Sequence, residues 1–305
     1  MKNPKVSVII PTYNRTHLVG RAIQSVLDQT YQDFEIIVID DGSTDNTEEI
    51  IKKFQKRDKR IKYIRHNENS GDGAARNTGI RTALGKYIAF QDSDDEWLPK
   101  KLEKQMNVFQ IASSKVGVVY TGFRKIKNNK KLYIPFSRIA CKEGDIHKQL
   151  LKENFIGTPV TLIKKECFQK AGMFDEKLHR LVDWELWIRI SKYYYFKYID
   201  EPLVNVYCQP NSISSDQVAL IKTQKLILEK YWDDIRKDRE ILSVRYAAIG
   251  SALCSTGKLK KGRNYLIKAV KTNPLNIKFL LATFISFFGQ GVYRKAVRIY
   301  RKTKV

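Results

Sequence analysis

The chain has 305 residues, with 56 Lys and Arg against 32 Asp and Glu, for a formal net charge of +24. Hydrophobic residues make up 43% and aromatics 11%, enough apolar material for a sizeable core, which excludes wholesale disorder. Cys141, Cys167, Cys208 and Cys254 lie far apart, so neither a zinc site nor a disulfide scaffold is indicated, and no stretch reaches the ~18 apolar residues of a membrane span.

The first 110 residues alternate between strand-like and helix-like runs. Val6–Ile10 is apolar and stops at Pro11, too short a run for a signal segment. Between His17 and Gln29 the apolar residues Leu18, Val19, Ala22, Ile23, Val26 and Leu27 fall at helical spacing. Phe34–Ile39 is a second strand that ends in Asp40-Asp41-Gly42, with Ser43 or Thr44 placed to cap the next helix. Ile61–Ile64 reads as a third strand, Gly73–Leu84 as a helix, Tyr87–Phe90 as a fourth strand and Pro99–Ile111 as a further helix. This order argues for an α/β fold with a mostly parallel sheet covered on both faces, whose ligands bind beyond the carboxyl ends of the strands. From 115 to 215 the rhythm changes. Strands are expected at Val116–Ile126, Leu132–Phe136, Val160–Ile163, Phe196–Ile199 and Leu203–Tyr207, with helices at Asp145–Glu153 and Leu181–Ser191. We take residues 1–215 as one domain and 216–305 as a helical extension. In the extension, Tyr246, Gly250, Ala252, Gly257, Tyr265, Ala269 and Pro274 resemble one tetratricopeptide-like helix pair.

Two apolar strands end in carboxylate clusters, Asp40-Asp41-Gly42-Ser43-Thr44-Asp45 and Asp92-Ser93-Asp94-Asp95. Carboxylates gathered at strand tips repel one another, and a hard divalent cation, Mg²⁺ or Mn²⁺, resolves the repulsion by bridging one or two of them to substrate phosphates. Turn and cap chemistry is the competing explanation and suits Asp45 and Asp95 well, Asp41 and Asp94 poorly. Neither a GxGxxG motif after the first strand nor a Walker lysine motif is present, so phosphate would be held by the metal and Arg76.

At these residues the chain resembles the family 2 glycosyltransferases, inverting enzymes of the GT-A fold. The matching pieces are Val6 to Arg15 (VSVIIPTYNR), the run from Asp40 to Asp45, Gly73 to Gly79 (GAARNTG), Asp92 to Asp95, and Asp183 to Arg189 (DWELWIR), covering about residues 4–210 in family order. The resemblance implies that Pro11 and Tyr13 frame a nucleotide base, that Asp41 accepts a hydrogen bond from it, and that Arg76 sits near the nucleotide phosphates or braces the acidic loop. It makes Asp94 the metal ligand, with Asp92 beside ribose or metal-bound water, and Asp183 the general base. The donor it implies is a nucleotide sugar, commonly linked to UDP; the acceptor is a glycan or lipid-linked hydroxyl. Two departures stand out. Val182 occupies a position that is often acidic, and Tyr207-Cys208-Gln209-Pro210-Asn211-Ser212 lacks the Arg and His of the usual closing segment. Trp184, Thr158 and His179 are acceptor-site candidates, with core packing as the plainer account of Trp184 and Trp187 and a simple turn that of Thr158.

The charge is uneven: residues 241–305 hold 14 basic residues and no acidic one. Phe279 to Phe288 (FLLATFISFF) is strongly apolar and is followed by Arg294, Lys295, Arg298, Arg301, Lys302 and Lys304. At helical spacing this gives an apolar and a cationic face, as in helices that lie on anionic membranes. A terminal helix with a solvated charged face is the alternative. Nucleic acid is disfavoured, since no recognition motif accompanies the charge. The expectation is a cytoplasmic enzyme, peripheral on the inner face of the cell membrane. The competing functions are a sugar nucleotidyltransferase, whose Gly-rich N-terminal loop is missing, and a basic scaffold carrying a degenerate transferase domain.

Overall fold

The computed structural model describes residues 3–127, 130–134, 139–209 and 216–302. The expected strand end at Phe136, positions 210–212 of the tyrosine-led segment and Lys304 lie outside them. Two compact units are present: residues 1–150 with 154–210, and residues 151–153 with 211–305.

In the first unit β1 (Val6–Thr12) and β2 (Phe34–Asp40) are buried at every residue, which is why both read as unbroken apolar runs rather than alternating ones. β3 (Ile61–Arg65) pairs with β2, and β4 (Tyr87–Phe90) pairs with the other side of β1, all four parallel. The connecting helices are α1 (Val19–Leu27), α2 (Thr47–Arg57) and α3 (Asp72–Thr82). Helix α1 turns Val19, Ala22, Ile23 and Val26 into the core, the 3–4 spacing of one helical face. Helix α3 lies so close to β1 that a Cβ on Gly79 would meet Ile9 Cγ2 at 2.4 Å. Only glycine allows that approach.

The sheet continues through β5 (Glu96–Trp97), β6 (Val116–Lys127), β7 (Lys130–Ile134), β8 (Thr161–Lys164) and β9 (Tyr195–Tyr207). Its order is β3-β2-β1-β4-β8-β6-β9-β5, with β7 as a hairpin on β6. Strand β8 runs antiparallel to β4 and β6, while β9 is parallel to β6, so a parallel half joins a mixed half. Helices α4 (Lys101–Ile111), α5 (His147–Lys152), α6 (Glu166–Ala171) and α7 (Val182–Ile190) complete the series up to β9.

Three local expectations are corrected. The two strands expected at Phe196–Ile199 and Leu203–Tyr207 are one, because Asp200 and Glu201 bulge out between the pairs Thr121–Ile199 and Gly122–Pro202 instead of turning the chain. Ser43 and Thr44 do not cap α2, whose N-cap is Asn46; the Ser43 hydroxyl and the Thr44 amide instead bond the Asn14 backbone and side chain. The sequence pattern also missed β5 and α6, each too short to carry a period.

The second unit is helical: α8 (Gln217–Lys230), α9 (Trp232–Ile235), α10 (Arg239–Ser255), α11 (Leu259–Thr272), α12 (Ile277–Ile285), a 3-10 turn over Ser286–Phe288, and α13 (Gly289–Lys302). Asp216 and Asp238 cap α8 and α10 by accepting two backbone N–H bonds each. Helices α10 and α11 pack through glycines: a Cβ on Gly262 would sit 2.4 Å from Cys254 Sγ. Cys254, Leu266 and Tyr293 form a small core, against which Leu259, Ala282, Ile285 and Val297 pack.

Candidate active site

Strand order reverses at β1. The chain moves from β1 outward to β2 and β3, then returns to place β4 on the opposite side of β1. Ligand crevices in open α/β sheets form at the carboxyl ends of the strands flanking such a switch. Thr12 pairs with Asp40 and Ile9 with Phe90, so the residues after β1, β2 and β4 leave the sheet side by side. Those residues are Tyr13 to Thr16, Asp41 to Asp45, and Gln91 to Asp95. The site is therefore set by topology before any side chain is considered.

The loops at this edge are tied to one another. The Asn14 backbone, in the left-handed region at φ 51, donates to Ser43 Oγ at 2.9 Å, and the Arg15 amide donates to Thr47 Oγ1 at 2.8 Å. Asp45 accepts from Thr16, Thr47 N–H and the Thr47 hydroxyl. Partial burial pushes its carboxyl up, but these bonds outweigh that and hold it at about 2, so Asp45 works as a clamp. Asp41 is 3% exposed. Its carboxylate accepts from Ser70 N–H at 3.0 Å, Gly71 N–H at 2.7 Å and His66 Nδ1 at 2.7 Å. Because a carboxylate only accepts, His66 carries its proton on Nδ1, and the neutral ring's Nε2 accepts from the Thr78 hydroxyl at 3.0 Å. Pro11 is buried in the strand, whereas the Tyr13 side chain, 41% exposed, stands at the open edge.

The second acidic turn is held mainly by arginines. Arg76, 4% exposed, bonds Asp72 one turn back on α3 and Asp92 Oδ1 at 2.7 Å. Burial alone would favour loss of its proton, but the Asp72 and Asp92 charges reverse this and lock the guanidinium in its charged form. Asp92 is nonetheless raised above the usual carboxylate range by burial, with Asp72 and Asp94 adding to the rise against Arg76. Asp95, 2% exposed, is raised further by burial and by Asp92 and Asp94, and accepts from Tyr207 N–H at 3.0 Å. Arg21 donates to the Asp94 carbonyl and lies 4.1 Å over the Tyr207 ring. The Asp94 side chain, 23% exposed, has an ion pair with Arg15 at 4.0 Å and no hydrogen bond among the described residues.

Asp183 sits in the first turn of α7, entered through Leu181 in the left-handed region at φ 58. Its Oδ1 accepts from Trp184 N–H at 2.7 Å and from Asn154 Nδ2 at 3.5 Å. Burial pushes its carboxyl up to about 6, against the Trp184 N–H and the Arg76 charge; the Asp72 charge reaches it as well. The approach of this segment to α3 has a visible cause. Asn77 donates to the Phe174 carbonyl at 2.9 Å and to Glu176 at 2.7 Å, and accepts from Phe174 N–H at 2.9 Å. On the far side of α7, Arg189 pairs with buried Glu185 at 2.8 Å and donates to the Ala171 and Met173 carbonyls.

Among the acceptor-site candidates, two are corrected. Trp184 is 2% exposed and donates its indole N–H to the Leu150 carbonyl, so it packs in the core and offers no open ring face. Trp187 is likewise buried, with its indole on the Ile156 carbonyl at 3.0 Å. Thr158 opens a buried 3-10 turn and presents no side-chain surface to a cleft. His179 is exposed. Sequence reasoning missed Arg15, Arg21, His66, Asn77 and Asn154, whose partners lie far away in the chain. Asp72 was legible, being four residues before Arg76 on one helix.

Among the described residues no group of three or more metal-ligating side chains is assembled. The donor set fits a divalent cation all the same. Asp92 and Asp95 are raised by their own neighbours' charge, and Asp94 keeps an unbonded carboxylate at the same turn. Mg²⁺ and Mn²⁺ take one or two carboxylates plus phosphate oxygens and waters, not an all-protein cage.

A parallel half-sheet with an acidic turn at its switch point, continued by a mixed half-sheet with helices on both sides, is the GT-A fold of glycosyltransferases. The model for glycosyl transferase family 2 matches residues 7–172, and the chain belongs to that family. An uncharacterized glycosyltransferase of Rickettsia felis is 34% identical over 316 residues, covering 99% of this chain and 51% of that protein. The chain thus spans about half the length of this relative. The Escherichia coli protein WfgD, a UDP-Glc:alpha-D-GlcNAc-diphosphoundecaprenol beta-1,3-glucosyltransferase, is 33% identical over 187 residues, or 61% of this chain and 70% of that one. Among solved structures, S. aureus TarS 1-349 in complex with UDP-GlcNAc matches at TM-score 0.71 and 19% identity, covering 98% of this chain and 92% of that one.

Proposed function

We propose that the chain is a metal-dependent, inverting glycosyltransferase that moves a hexosyl group from a UDP-sugar to a glycan or lipid-linked hydroxyl at the inner face of the cell membrane. The observation that carries this reading is a division of labour among acidic residues at one sheet edge. Asp41, Asp45 and Asp95 are tied up by backbone and side-chain donors, and Asp92 by Arg76, whereas Asp94 and Asp183 keep reactive capacity. The relatives named above, which act on UDP-Glc or bind UDP-GlcNAc, support the UDP assignment.

In this reading Tyr13 borders the base, and Asp41 offers it the one acceptor position its three bonds leave unused. Asp94, with Asp92 behind it, would hold Mn²⁺ or Mg²⁺, which when bound supplies Lewis-acid stabilisation of the departing diphosphate. Arg15, which pairs with Asp94 in the free protein, is released to the diphosphate. The acceptor oxygen attacks the anomeric carbon from the face opposite the leaving group. The bond from that carbon to the phosphate oxygen breaks, its electron pair leaves with UDP, and Asp183 takes the hydroxyl proton. Positioned base catalysis of this kind contributes about 10²–10⁴-fold. A carboxyl raised to about 6 suits the task, since it is ionised at neutral pH yet more basic than a free aspartate.

The test is calorimetry of UDP binding with and without Mn²⁺, followed by a nucleotide-sugar screen for hydrolysis or transfer, with Asp94→Ala as blank. Metal-dependent UDP binding and turnover lost in the blank support the assignment. UDP binding indifferent to metal, or turnover unchanged in the blank, overturns it.

A further inference from the structure

Helix α12 is apolar around most of its circumference. Phe279, Ala282 and Ile285 face the small core with Cys254, Leu266 and Tyr293. The other side is open: Leu280 is 46% exposed, Leu281 54%, Phe284 62%, and Phe287 and Phe288 in the next turn 61% and 56%. A helix with this composition is ordinarily covered all round. On α13, Val292 and Ile299, exposed and seven residues apart, share a side with exposed Lys295, and Arg294 and Arg298 are exposed beside them. The open apolar area is on the order of 500 Å², at the size that marks interaction surfaces. An apolar cleft of about 380 Å³, lined by Leu281, Ala282, Ile285, Val297 and Tyr300 among others, adjoins the same residues.

We propose that the face made by α12, the turn after it and α13 docks on an anionic lipid surface, with Phe284, Phe287 and Phe288 entering the interface and Arg294, Lys295 and Arg298 resting on the headgroups. This gives the membrane localisation proposed above its surface, and it does not depend on the transfer chemistry. Charge selects the occupant. With 14 basic and no acidic residues over positions 241–305, the face repels a second copy of itself and is complementary to anionic lipid. No helix of the described residues is long and apolar enough to cross a membrane, so the helices lie in the surface plane.

Flotation of the full chain with vesicles of phosphatidylcholine, alone or mixed with phosphatidylglycerol, tests this. The chain should float with the anionic vesicles only, and added salt should weaken the binding. The variant Arg294→Gln/Lys295→Gln/Arg298→Gln should partition about a hundredfold less, from about 1 kcal/mol per cation and 1.4 kcal/mol per tenfold. Phe284→Ser/Phe287→Ser/Phe288→Ser should abolish flotation without lowering the melting temperature, because these side chains already face water; if that variant misfolds, the charge variant carries the test alone. Absence of wild-type flotation, or equal flotation of wild type and charge variant, overturns the proposal. So does a dimer that the serine variant disperses with no vesicle binding by either, which would make a second copy the occupant. Transfer to a water-soluble acceptor should be unchanged in both variants, separating failure of docking from failure of the enzyme assignment.

Discussion

Replacing Asp183 with Asn should make the protein more stable and nearly inactive at once. Its carboxyl is raised from 3.8 to about 6, with burial as the main cause. Each unit is worth 1.36 kcal/mol, giving about 3 kcal/mol, which partial contact with water reduces to about 2 kcal/mol. The sign follows from proton counting. Between about pH 4 and 6 the folded chain holds a proton at Asp183 that the unfolded chain has lost, so stability falls as pH rises through that window. The penalty is absent below about pH 4 and complete above about pH 7. Asn keeps an oxygen for Trp184 N–H and never ionises, so at pH 7 the variant should gain about 2 kcal/mol, a rise of roughly 4–8 °C in Tm for a domain of this size. At pH 4 the two proteins should melt together, since every other titrating group is common to both. Turnover at pH 7 should drop about 10²–10⁴-fold, and the wild-type rate should fall tenfold per pH unit below about 6. Calorimetric melts at a series of pH values, paired with initial rates, read both quantities. A stability gain that is absent, or the same at pH 4 and pH 7, would refute the raised carboxyl; full activity in the Asn variant would refute its role as base.

Asp94→Asn should leave Tm within about 0.5 kcal/mol of wild type, since its side chain has only a long ion pair to lose, while Mn²⁺-dependent UDP binding disappears in titration calorimetry. Arg76→Met should cost about 3 kcal/mol in urea melts at pH 7, because it strands Asp72 and Asp92 beside Asp94; acidification toward pH 5 should recover part of that loss as Asp92 takes up a proton. Gly79→Ala should cost about 1–3 kcal/mol by overpacking α3 against Ile9, read as a lowered denaturation midpoint with an unchanged slope.

The parallel half of the sheet was legible because its strands are buried on both sides and its helices carry a clean period. Tyr87–Phe90 matches the expected strand end to end, and Val6, Phe34 and Ile61 open their strands as expected. The mixed half was less so. Strand β9 looked broken because a bulge and a turn draw on the same residue types at Asp200-Glu201-Pro202, and only pairing with β6 distinguishes them. The site shows the same boundary. Carboxylates at strand ends are visible as a pattern, but which of them are occupied is not. Asp45 is engaged by Thr16 and Thr47, Asp95 by Tyr207, and Asp41 by Ser70, Gly71 and His66. Most of those partners lie some 25 residues or more away in the chain. Trp184 is the clearest case: two tryptophans beside a candidate base suggest a sugar platform, and only the Leu150 carbonyl, 34 positions away, reveals a core residue.

The two aspartates of the D-x-D pair are thus unlike groups despite their shared motif. Asp92 faces a buried guanidinium already committed to Asp72, so a cation at Asp92 competes with a charge the fold cannot move. Asp94, one residue further round the turn, faces only Arg15, whose side chain is 35% exposed and able to swing away. Alternation of direction along an extended turn separates the two carboxylates just enough for one to be framework and the other to be ligand. The same logic explains the number of arginines in an acidic cleft. Arg76 fixes the charge that must stay, Arg21 fixes the backbone of the turn through the Asp94 carbonyl, and Arg15 covers the charge that must be given up when a diphosphate arrives. A cleft built this way tolerates its own repulsion without substrate, and its carboxylates become fully ionised only when substrate and cation enter together.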